Sequence, residues 1–356
     1  MLRALDRWLI PYLRQKPAPE IEPGSAHLIV AVCDHYEPLH AADHQTAVTR
    51  VRRWLHDYPS AVAPFRDSRG RSPRHTFFYP IEKYHPDIVG PVAELCHKTG
   101  SELEIHLHHA GDTEVTLAEK LQRGLGEFSQ HTTMSRRPDG TTGFAFVHGN
   151  WALQNCDPHN RNCGVRNEIT TLRGAGCYAD FTFPSAPHPT QPRSVNSIGY
   201  IRDTGTPSDL DDLQLATVQR SGLLRDASDH LLTVQGPLAL NWSHRKWGLI
   251  PKIENADLTG NNPPTLERLQ LWSRTHITVQ HRPEWRFIKL HTHGATPRTS
   301  DMFLGPVMAN FHRALTSQKS YAVHYTNARE MTNIIHAAED GKSGDPDDYL
   351  DYHLTR

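Results

Sequence analysis

Short apolar segments alternate with segments of helical pattern along this chain, and this alternation constrains the fold more than any other feature. Residues 27–33, HLIVAVC, are rich in Ile and Val, which is typical of a buried strand in a parallel sheet. Residues 44–58 then place Val48, Val51 and Trp54 on one helical face. Strands and helices that alternate every few tens of residues indicate parallel β/α architecture. We therefore expect an α/β fold, a single irregular (β/α) barrel with loop insertions.

The same reading along the rest of the chain gives the other predicted elements. Strands are predicted at 75–79, 103–108, 144–148, 231–235 and 287–290, and residues 320–325 precede a last helix. Helices are predicted at 86–97, 116–125 and 329–338.

The chain divides into three predicted parts, with no internal repeat and no shift of composition. Residues 1–23 form an N-terminal helix and linker, 24–340 the barrel, and 341–356 a C-terminal tail. We expect the helix, at residues 2–13, to dock on the barrel rather than on a membrane, because its apolar face is short. Residues 183–215, rich in Pro, Ser, Thr and Asp, indicate a long surface excursion.

Composition limits the partners. The 38 Lys and Arg nearly balance 39 Asp and Glu, which argues against a nucleic-acid binder or a polybasic membrane binder. No segment approaches the roughly 18 apolar residues of a membrane span, and the five scattered cysteines do not form a disulfide framework. The first residues lack the pattern of a secretory signal. We expect a soluble, cytoplasmic protein, with its oligomeric state left open.

Histidines and carboxylates cluster where the predicted strands end. The chain contains 25 histidines. The residues that follow the four apolar strands are Asp34 and His35; His106, His108, His109 and Asp112; His148, Asn150 and Trp151; and His291 and His293. The C-terminal ends of parallel strands converge on one rim, where chemistry occurs in barrels. Imidazole and carboxylate ligands suit a divalent metal, with Zn²⁺ as first choice and Mn²⁺, Fe²⁺ or Co²⁺ as alternatives.

Four segments match a known pattern in order and context. Cys33-Asp34-His35 stands where the pattern has a strand ending in Phe-Asp-Asp, and residues 75–78 (HTFF) stand for Ala-Thr-Phe-Phe. Residues 104–112 (EIHLHHAGD) stand for Glu-Ile-Gly-x-His-x-x-x-His, and Leu290-His291 stands for a late Leu-His. Over roughly residues 25–115 and 285–295 the chain thus resembles the polysaccharide deacetylase (NodB-homology) family of metal-dependent amidohydrolases.

The resemblance implies a barrel of the deacetylase type and a set of metal ligands. A histidine replaces the second Asp of the family and an aspartate replaces its second motif histidine, so His35, His108 and Asp112 are the implied ligands. Asp34 then occupies the position of the catalytic base. An alternative register makes Asp34 a ligand and leaves the base unassigned or gives it to Glu37.

The resemblance also implies an acid and a reaction. His291 occupies the position of the general acid, and His293 is its rival. The expected reaction removes an N-acyl (acetyl) group from an amino sugar or glycan by metal-activated water. Further contacts with this carbohydrate or other N-acylated substrate are predicted at His148, Asn150, Trp151, His293 and Trp242.

Other functions remain open at this point. A barrel without catalysis could bind a glycan or a partner protein, and the metal site could hydrolyse another amide or a phosphoester. No Walker-type or G-x-G-x-x-G loop is present in the sequence, which argues against a nucleotide cofactor. Cys156, His159 and Cys163 fit no common structural-zinc spacing, which favours a polar loop.

Overall fold

The computed structural model describes residues 4–15, 21–22, 24–132, 134–218 and 222–356. These residues form ten α-helices: α1 (Leu5–Leu13), α2 (His44–Val62), α3 (Pro86–Thr99), α4 (Glu114–Phe128), α5 (Glu168–Gly174), α6 (Gly222–Asp226), α7 (Leu266–Ser273), α8 (Pro297–Phe303), α9 (Pro306–Thr316) and α10 (Ala328–Glu339). They form fourteen strands: β1 (Ala26–His35), β2 (Thr76–Pro80), β3 (Glu102–Leu107), β4 (Ser135–Arg136), β5 (Thr142–His148), β6 (Cys177–Asp180), β7 (Ile198–Arg202), β8 (Gln214–Leu215), β9 (His230–Val234), β10 (Ala239–Lys246), β11 (Ile250–Glu254), β12 (Asp257–Leu258), β13 (Trp285–Thr292) and β14 (Tyr321–Thr326). Short 3₁₀ turns occur at Ile81–Lys83, Leu153–Asn155, Pro207–Asp211 and Pro346–Tyr349.

One large sheet organises the chain and is mostly parallel. Its strand order is β12-β13-β1-β2-β3-β5-β6-β9-β7-β8, with β14 also on β1 and β4 on β5. Strands β12 to β9 along this order pair in parallel, whereas β7 is antiparallel to both β9 and β8. Strands β10 and β11 form a separate antiparallel hairpin. The predicted α/β class is confirmed, and the arrangement is compatible with a barrel-like β/α fold.

Strand β1 is buried on both faces, which explains its continuous apolar sequence. Alternate residues of a strand point to opposite faces. Leu28, Val30 and Val32 belong to one hydrophobic core, which also contains residues of α2, α3 and α4. Ile29 and Ala31 belong to a second core, which contains much of α10. The register of β1 against β13 sets Cys33 opposite His291, so the polar ends of the two strands lie side by side.

Helix α10 fixes the C-terminal part of the chain. All its residues are buried, and Arg329 at its first turn donates a 2.8 Å hydrogen bond from Nε to Glu102. Asn333 on the same helix donates to the backbone oxygens of Leu350 and Leu354, each at 2.7 Å. The predicted C-terminal tail, 341–356, therefore packs onto α10.

Helix α1 packs against the rest of the chain, as the sequence predicts. Trp8 is buried with Ala186, Val195 and Leu238, and Arg7 pairs with Asp211 at 2.9 Å. Predicted residues 2 and 3 of this helix lie outside the described residues. Among the residues that are described, no helix is both long and apolar enough to cross a membrane.

The segment 183–215 differs from the predicted surface excursion. It contains β7, whose residues Ile198, Tyr200 and Ile201 are fully buried, and which joins the main sheet beside β9. The sequence pattern does not reveal this strand, because the Pro, Ser and Thr residues around it are typical of loops. In addition, an antiparallel strand needs no helical crossover before it.

Candidate metal centres

Four imidazoles surround the carboxylate of Glu37 just beyond the C-terminal ends of β1, β3 and β13. Its oxygens lie 3.5 Å from His106 Nε2, 3.8 Å from His108 Nε2 and 3.9 Å from His293 Nε2. The His35 ring centroid lies 4.9 Å from those of both His106 and His293. We call these five residues the Glu37 cluster. Its side chains reach the surface at His108, 33% exposed, and at His293, 38% exposed.

The strand geometry explains why these side chains meet. His35 ends β1 on the face of Ile29, Ala31 and Cys33, because side chains alternate along a strand. His106 lies in β3, two strands away in the same sheet, and His293 directly follows β13 on the other side of β1. Parallel strands that end together thus bring residues distant in sequence to one place.

The buried rings of the Glu37 cluster lack hydrogen-bond partners. His106 is 0% exposed, and neither of its ring nitrogens forms a hydrogen bond within the described part of the chain. The same holds for Nε2 of His35, which is 1% exposed. A buried polar atom without a partner costs about 1–3 kcal/mol. A cation bound beside His35 and Glu37 would satisfy Nε2 of His35, so the donor set fits a divalent metal.

The electrostatics of the Glu37 cluster keep its ligand atoms free of protons. Burial alone would raise the pKa of Glu37, but the facing rings of His106, His108 and His293 outweigh it and hold the pKa at about 2. Burial, together with the neighbouring histidines, lowers the pKa of His35 well below its usual value. Metal ligands must be deprotonated, so both groups are in the state that binds a metal.

His108 differs from the other histidines of the cluster. Its Nδ1 lies 2.7 Å from Oε1 of Glu82, which sits in the 3₁₀ turn after β2. Burial lowers the pKa of His108, but the bond to Glu82 and the charge of Glu37 outweigh burial and raise it. His108 therefore takes up a proton more readily than His35 and His293, whose pKa values are lowered.

Asp34, the predicted base, points away from the Glu37 cluster. Its carboxylate is 0% exposed, accepts a 2.6 Å hydrogen bond from the backbone N–H of Gly294 and lies 2.9 Å from His75 Nε2. These contacts lie on the face of β1 opposite to His35. The structure thus favours Glu37, the alternative carboxylate, as the one that faces the histidines, while Asp34 fixes the turn that contains His293.

The structure does not bring the predicted ligands His35, His108 and Asp112 into one group. Asp112 lies before α4, where it bonds Lys120 Nζ and the Thr116 hydroxyl, each at 2.7 Å. A spacing of four residues places two side chains together only on a helix, and residues 108–112 are not helical. Asp112 consequently turns away from His108.

His291, the predicted acid, borders the Glu37 cluster. Its ring centroid is 6.5 Å from that of His35, and its Nε2 is 4.0 Å from Oδ1 of Asp257. Burial lowers the pKa of His291 well below its usual value and raises the pKa of Asp257 to about 6. His293, the rival for this role, instead lies against Glu37. Neither acid assignment is tested by these positions, and both stay predictions.

The other residues predicted to contact the substrate differ in their burial and in the groups that they touch. His148 is 0% exposed, and Asn150 donates from Nδ2 to the backbone oxygen of His109 at 3.0 Å. Trp151 packs edge-on against His188, with ring centroids 5.5 Å apart. Trp242 is 55% exposed on the β10–β11 hairpin. His148 is thus enclosed at the end of β5, and Asn150 is only partly buried.

A second group of ligand atoms lies beside the Glu37 cluster. We call it the His-Cys-Glu cluster: His109, His148, Cys163 and Glu168 are all buried, and their ligand atoms lie within 4.8 Å of one another. The carboxylate of Glu168 is 2.9 Å from His109 Nε2, 3.3 Å from Cys163 Sγ and 3.7 Å from His148 Nε2. These four residues can hold a metal ion.

The sequence contains little that points to the His-Cys-Glu cluster. Its members come from the ends of β3 and β5, from a loop and from the first turn of α5. His109 and His148 stand out as strand-end residues, but no pattern marks Glu168, and the spacing around Cys163 favours a polar loop. No short motif links the four, because the cluster depends on the path of residues 149–167.

No protein-family model matches this chain, and no curated protein matches it either. The resemblance to the polysaccharide deacetylases therefore depends on the four matching segments and on their positions in the sheet.

Proposed function

We propose that this chain is a metal-dependent hydrolase that removes an acyl group from an amide nitrogen, with an amino sugar or glycan as its substrate. The observation that supports this most is the convergence of four imidazoles on Glu37 at the C-terminal ends of three strands of one sheet. The acetyl group and the sugar come from the resemblance to the deacetylases alone.

We assign the metal to His35, Glu37 and His293, whose ligand atoms form one compact group. This set keeps the ligand types that the sequence predicts, two histidines and one carboxylate, although His35 is the only predicted ligand in it. Three protein ligands leave a coordination position for water, as in catalytic sites. When bound there, a divalent metal, Zn²⁺ by preference, supplies a Lewis acid that activates water at neutral pH.

His108 accepts the proton of the attacking water, and Glu82 orients the His108 ring for this role. Glu82 accepts from Nδ1 of His108, which fixes the tautomer and leaves Nε2 free to face Glu37 at 3.8 Å. A histidine whose pKa is raised from 6.5 takes up a proton effectively near neutral pH. His108 thus receives the proton at Nε2, in the role that the resemblance assigns to Asp34.

Two further groups complete the proposed site. We assign to His291, beside Asp257, the proton transfer to the departing amine that the resemblance implies. Because burial lowers the pKa of His291, the ring gains this proton during the reaction rather than holding it beforehand. Asp34 is a positioning residue: it holds the Gly294 backbone and, through it, the adjacent His293. Acid and base then stand at the ends of different strands, β13 and β3, on either side of β1.

We further propose that the sheet is an irregular barrel of the deacetylase type. Beyond the regular pairings, Thr217 bridges Gln280, with backbone hydrogen bonds of 2.8 Å and 3.1 Å on either side. This bridge joins the segment after β8, at one end of the strand order, to the segment before β13, near the other end. It supports a sheet that curves back on itself.

Acetate release from N-acetylated amino sugars and oligosaccharides tests the proposed reaction. Metal-loaded wild-type protein should release acetate, whereas Glu37→Gln should lose turnover together with one equivalent of metal. His56→Ala is the matched control, because His56 is an 89% exposed histidine on α2, and it should retain both.

Other outcomes would redirect the proposal. Hydrolysis of phosphoesters or of other amides, without acetate release, would refute the deacetylase assignment while keeping a metal-dependent hydrolase. Glycan binding by metal-loaded protein with no hydrolysis on any of these substrates would mean that the chain is a binding protein. Full turnover in Glu37→Gln would refute the site.

A further inference from the structure

We propose that the His-Cys-Glu cluster is a closed structural site for a tetrahedral Zn²⁺ ion, separate from the Glu37 cluster. His109 follows β3, His148 ends β5, Cys163 lies in the intervening loop, and Glu168 begins α5. One ion would therefore connect two strand ends, a loop and a helix.

The geometry around Glu168 supports this site. Its Oε1 lies between the two rings, 2.9 Å from His109 Nε2 and 3.7 Å from His148 Nε2. Its Oε2 accepts the backbone N–H of Gln154. One carboxylate oxygen can thus bind a metal while the other keeps a hydrogen bond that orients the group, the usual arrangement around metal ligands.

The imidazole of His148 supplies a second, independent observation. His148 is 0% exposed, and its Nε2 finds no hydrogen-bond partner among the residues described in the structure. The ring is tilted by 43° against that of His109, with the centroids 4.5 Å apart. Glu168 lies within hydrogen-bond distance of only one of the two rings, that of His109 at 2.9 Å, while Nδ1 of His148 accepts the backbone N–H of Asn150 at 3.2 Å. A cation that takes the place of the proton on Nε2 of His148 would engage both rings and the carboxylate together.

The ligand types indicate zinc and a structural role. Two imidazoles, a thiolate and a carboxylate suit Zn²⁺ in tetrahedral coordination, whereas Mg²⁺ and Ca²⁺ prefer oxygen ligands. All four residues are at most 3% exposed. A site with four protein ligands and no access for substrate is closed, which is typical of structural rather than catalytic zinc.

The site would fix the backbone next to the proposed catalytic histidine. His109 directly follows His108, and His148 directly precedes Gly149. A Cβ at Gly149 would lie only 2.4 Å from Cδ2 of the His108 ring, so the ring rests against this backbone. The following loop also holds Trp151, Gln154 and Asn155 at positive φ, a conformation that needs support from its surroundings.

Cobalt substitution tests the site directly, because only a cysteine ligand gives a thiolate-to-cobalt charge-transfer band in the near ultraviolet. The Glu37 cluster contains no sulfur. Wild-type protein loaded with Co²⁺ should show this band, and X-ray absorption of the zinc form should show one sulfur per protein chain at about 2.3 Å. Cys163→Ser should lose the band and one equivalent of metal.

Cys156→Ser is the matched control. Cys156 is a second buried cysteine of the same segment, with its Sγ 3.4 Å from the backbone oxygen of Thr190, and this variant should keep both the band and the metal. A wild-type protein that binds Co²⁺ without a thiolate band, or binds none, would overturn the proposal even if Cys163→Ser fails to fold. Co²⁺ bound without a thiolate band would leave the hydrolase assignment intact, because its ligands contain no sulfur. Binding of no Co²⁺ at all would count against both sites.

Discussion

Replacing Gly294 with alanine should strongly destabilise the protein, because Asp34 occupies the space that a side chain would need. A Cβ at this position would lie 2.0 Å from Asp34 Oδ2 and 3.1 Å from Cζ2 of Trp54. Ordinary contacts begin at 3.4 Å. The carboxylate would have to move by more than 1 Å, and the packed Trp54 ring leaves it little room.

The cost follows from the contacts that such a movement breaks. The Asp34 carboxylate is 0% exposed and is held by the Gly294 N–H at 2.6 Å and by His75 at 2.9 Å. Disrupting a buried, hydrogen-bonded charged group costs about 3–5 kcal/mol. We expect Gly294→Ala to lower the free energy of unfolding by about that amount.

Urea unfolding followed by tryptophan fluorescence measures this loss. Gly126→Ala is the control, because Gly126 lies within α4 and no described atom is within 4 Å of the position that the added methyl group would take. This control should gain about 1 kcal/mol, the helix propensity of alanine over glycine. If Gly294→Ala unfolds at the urea concentration of the wild type, Asp34 does not fix this turn.

Three further changes test other parts of the structure. Burial lowers the pKa of His312 from 6.5 to about 3, so below pH 6.5 the unfolded chain binds a proton that the folded protein does not. The free energy of unfolding should therefore fall by about 1.4 kcal/mol per pH unit as the pH drops towards 3. His312→Gln should remove this contribution from urea titrations, and an unchanged slope would contradict it. Arg268→Lys should cost about 1.5–3 kcal/mol, because lysine cannot reproduce the paired bonds, 2.8 Å and 2.7 Å, from the guanidinium to buried Glu254; an unchanged urea midpoint would refute this. Glu82→Gln should lower the pKa of His108 in NMR titrations of metal-free protein, since Glu82 opposes the effect of burial there, and an unchanged pKa would exclude their coupling.

Much of the fold could be predicted from the sequence because both faces of the central strands are buried. The apolar runs at β1 and β5 and the helical pattern at α2 lie where the sequence predicts them. The strand β7 could not be predicted, because its few apolar residues lie among loop-forming ones. Pairing with β9 gives it its place, and that contact is distant along the chain.

The candidate site was predictable in its location but not in its exact ligands. The rule that strand ends converge brings His35 and His293 to one side of Glu37 and His106 and His108 to another. The two-residue period of a strand already separates Asp34 from His35, since neighbours point to opposite faces. By contrast, the orientation of Asp112 depends on an irregular turn that no periodicity describes.

The ligands supplied by loops were the hardest to predict. Glu37 lies two residues beyond β1 and becomes central only because the ends of two other strands, β3 and β13, also face it. Cys163 and Glu168 join His109 and His148 through a loop whose path depends on contacts such as Asn150 with the His109 backbone. Spacing rules for zinc ligands describe short local motifs and do not extend to such a loop.

An anomalous-difference map from crystals grown with zinc is the most direct test of the proposed catalytic centre. We predict a peak about 2.0–2.2 Å from ring nitrogens of His35 and His293 and from a carboxylate oxygen of Glu37. A peak at Asp112 and His108 would instead restore the ligand set expected from the sequence. No peak at Glu37 in zinc-soaked crystals would contradict the metal-dependent mechanism.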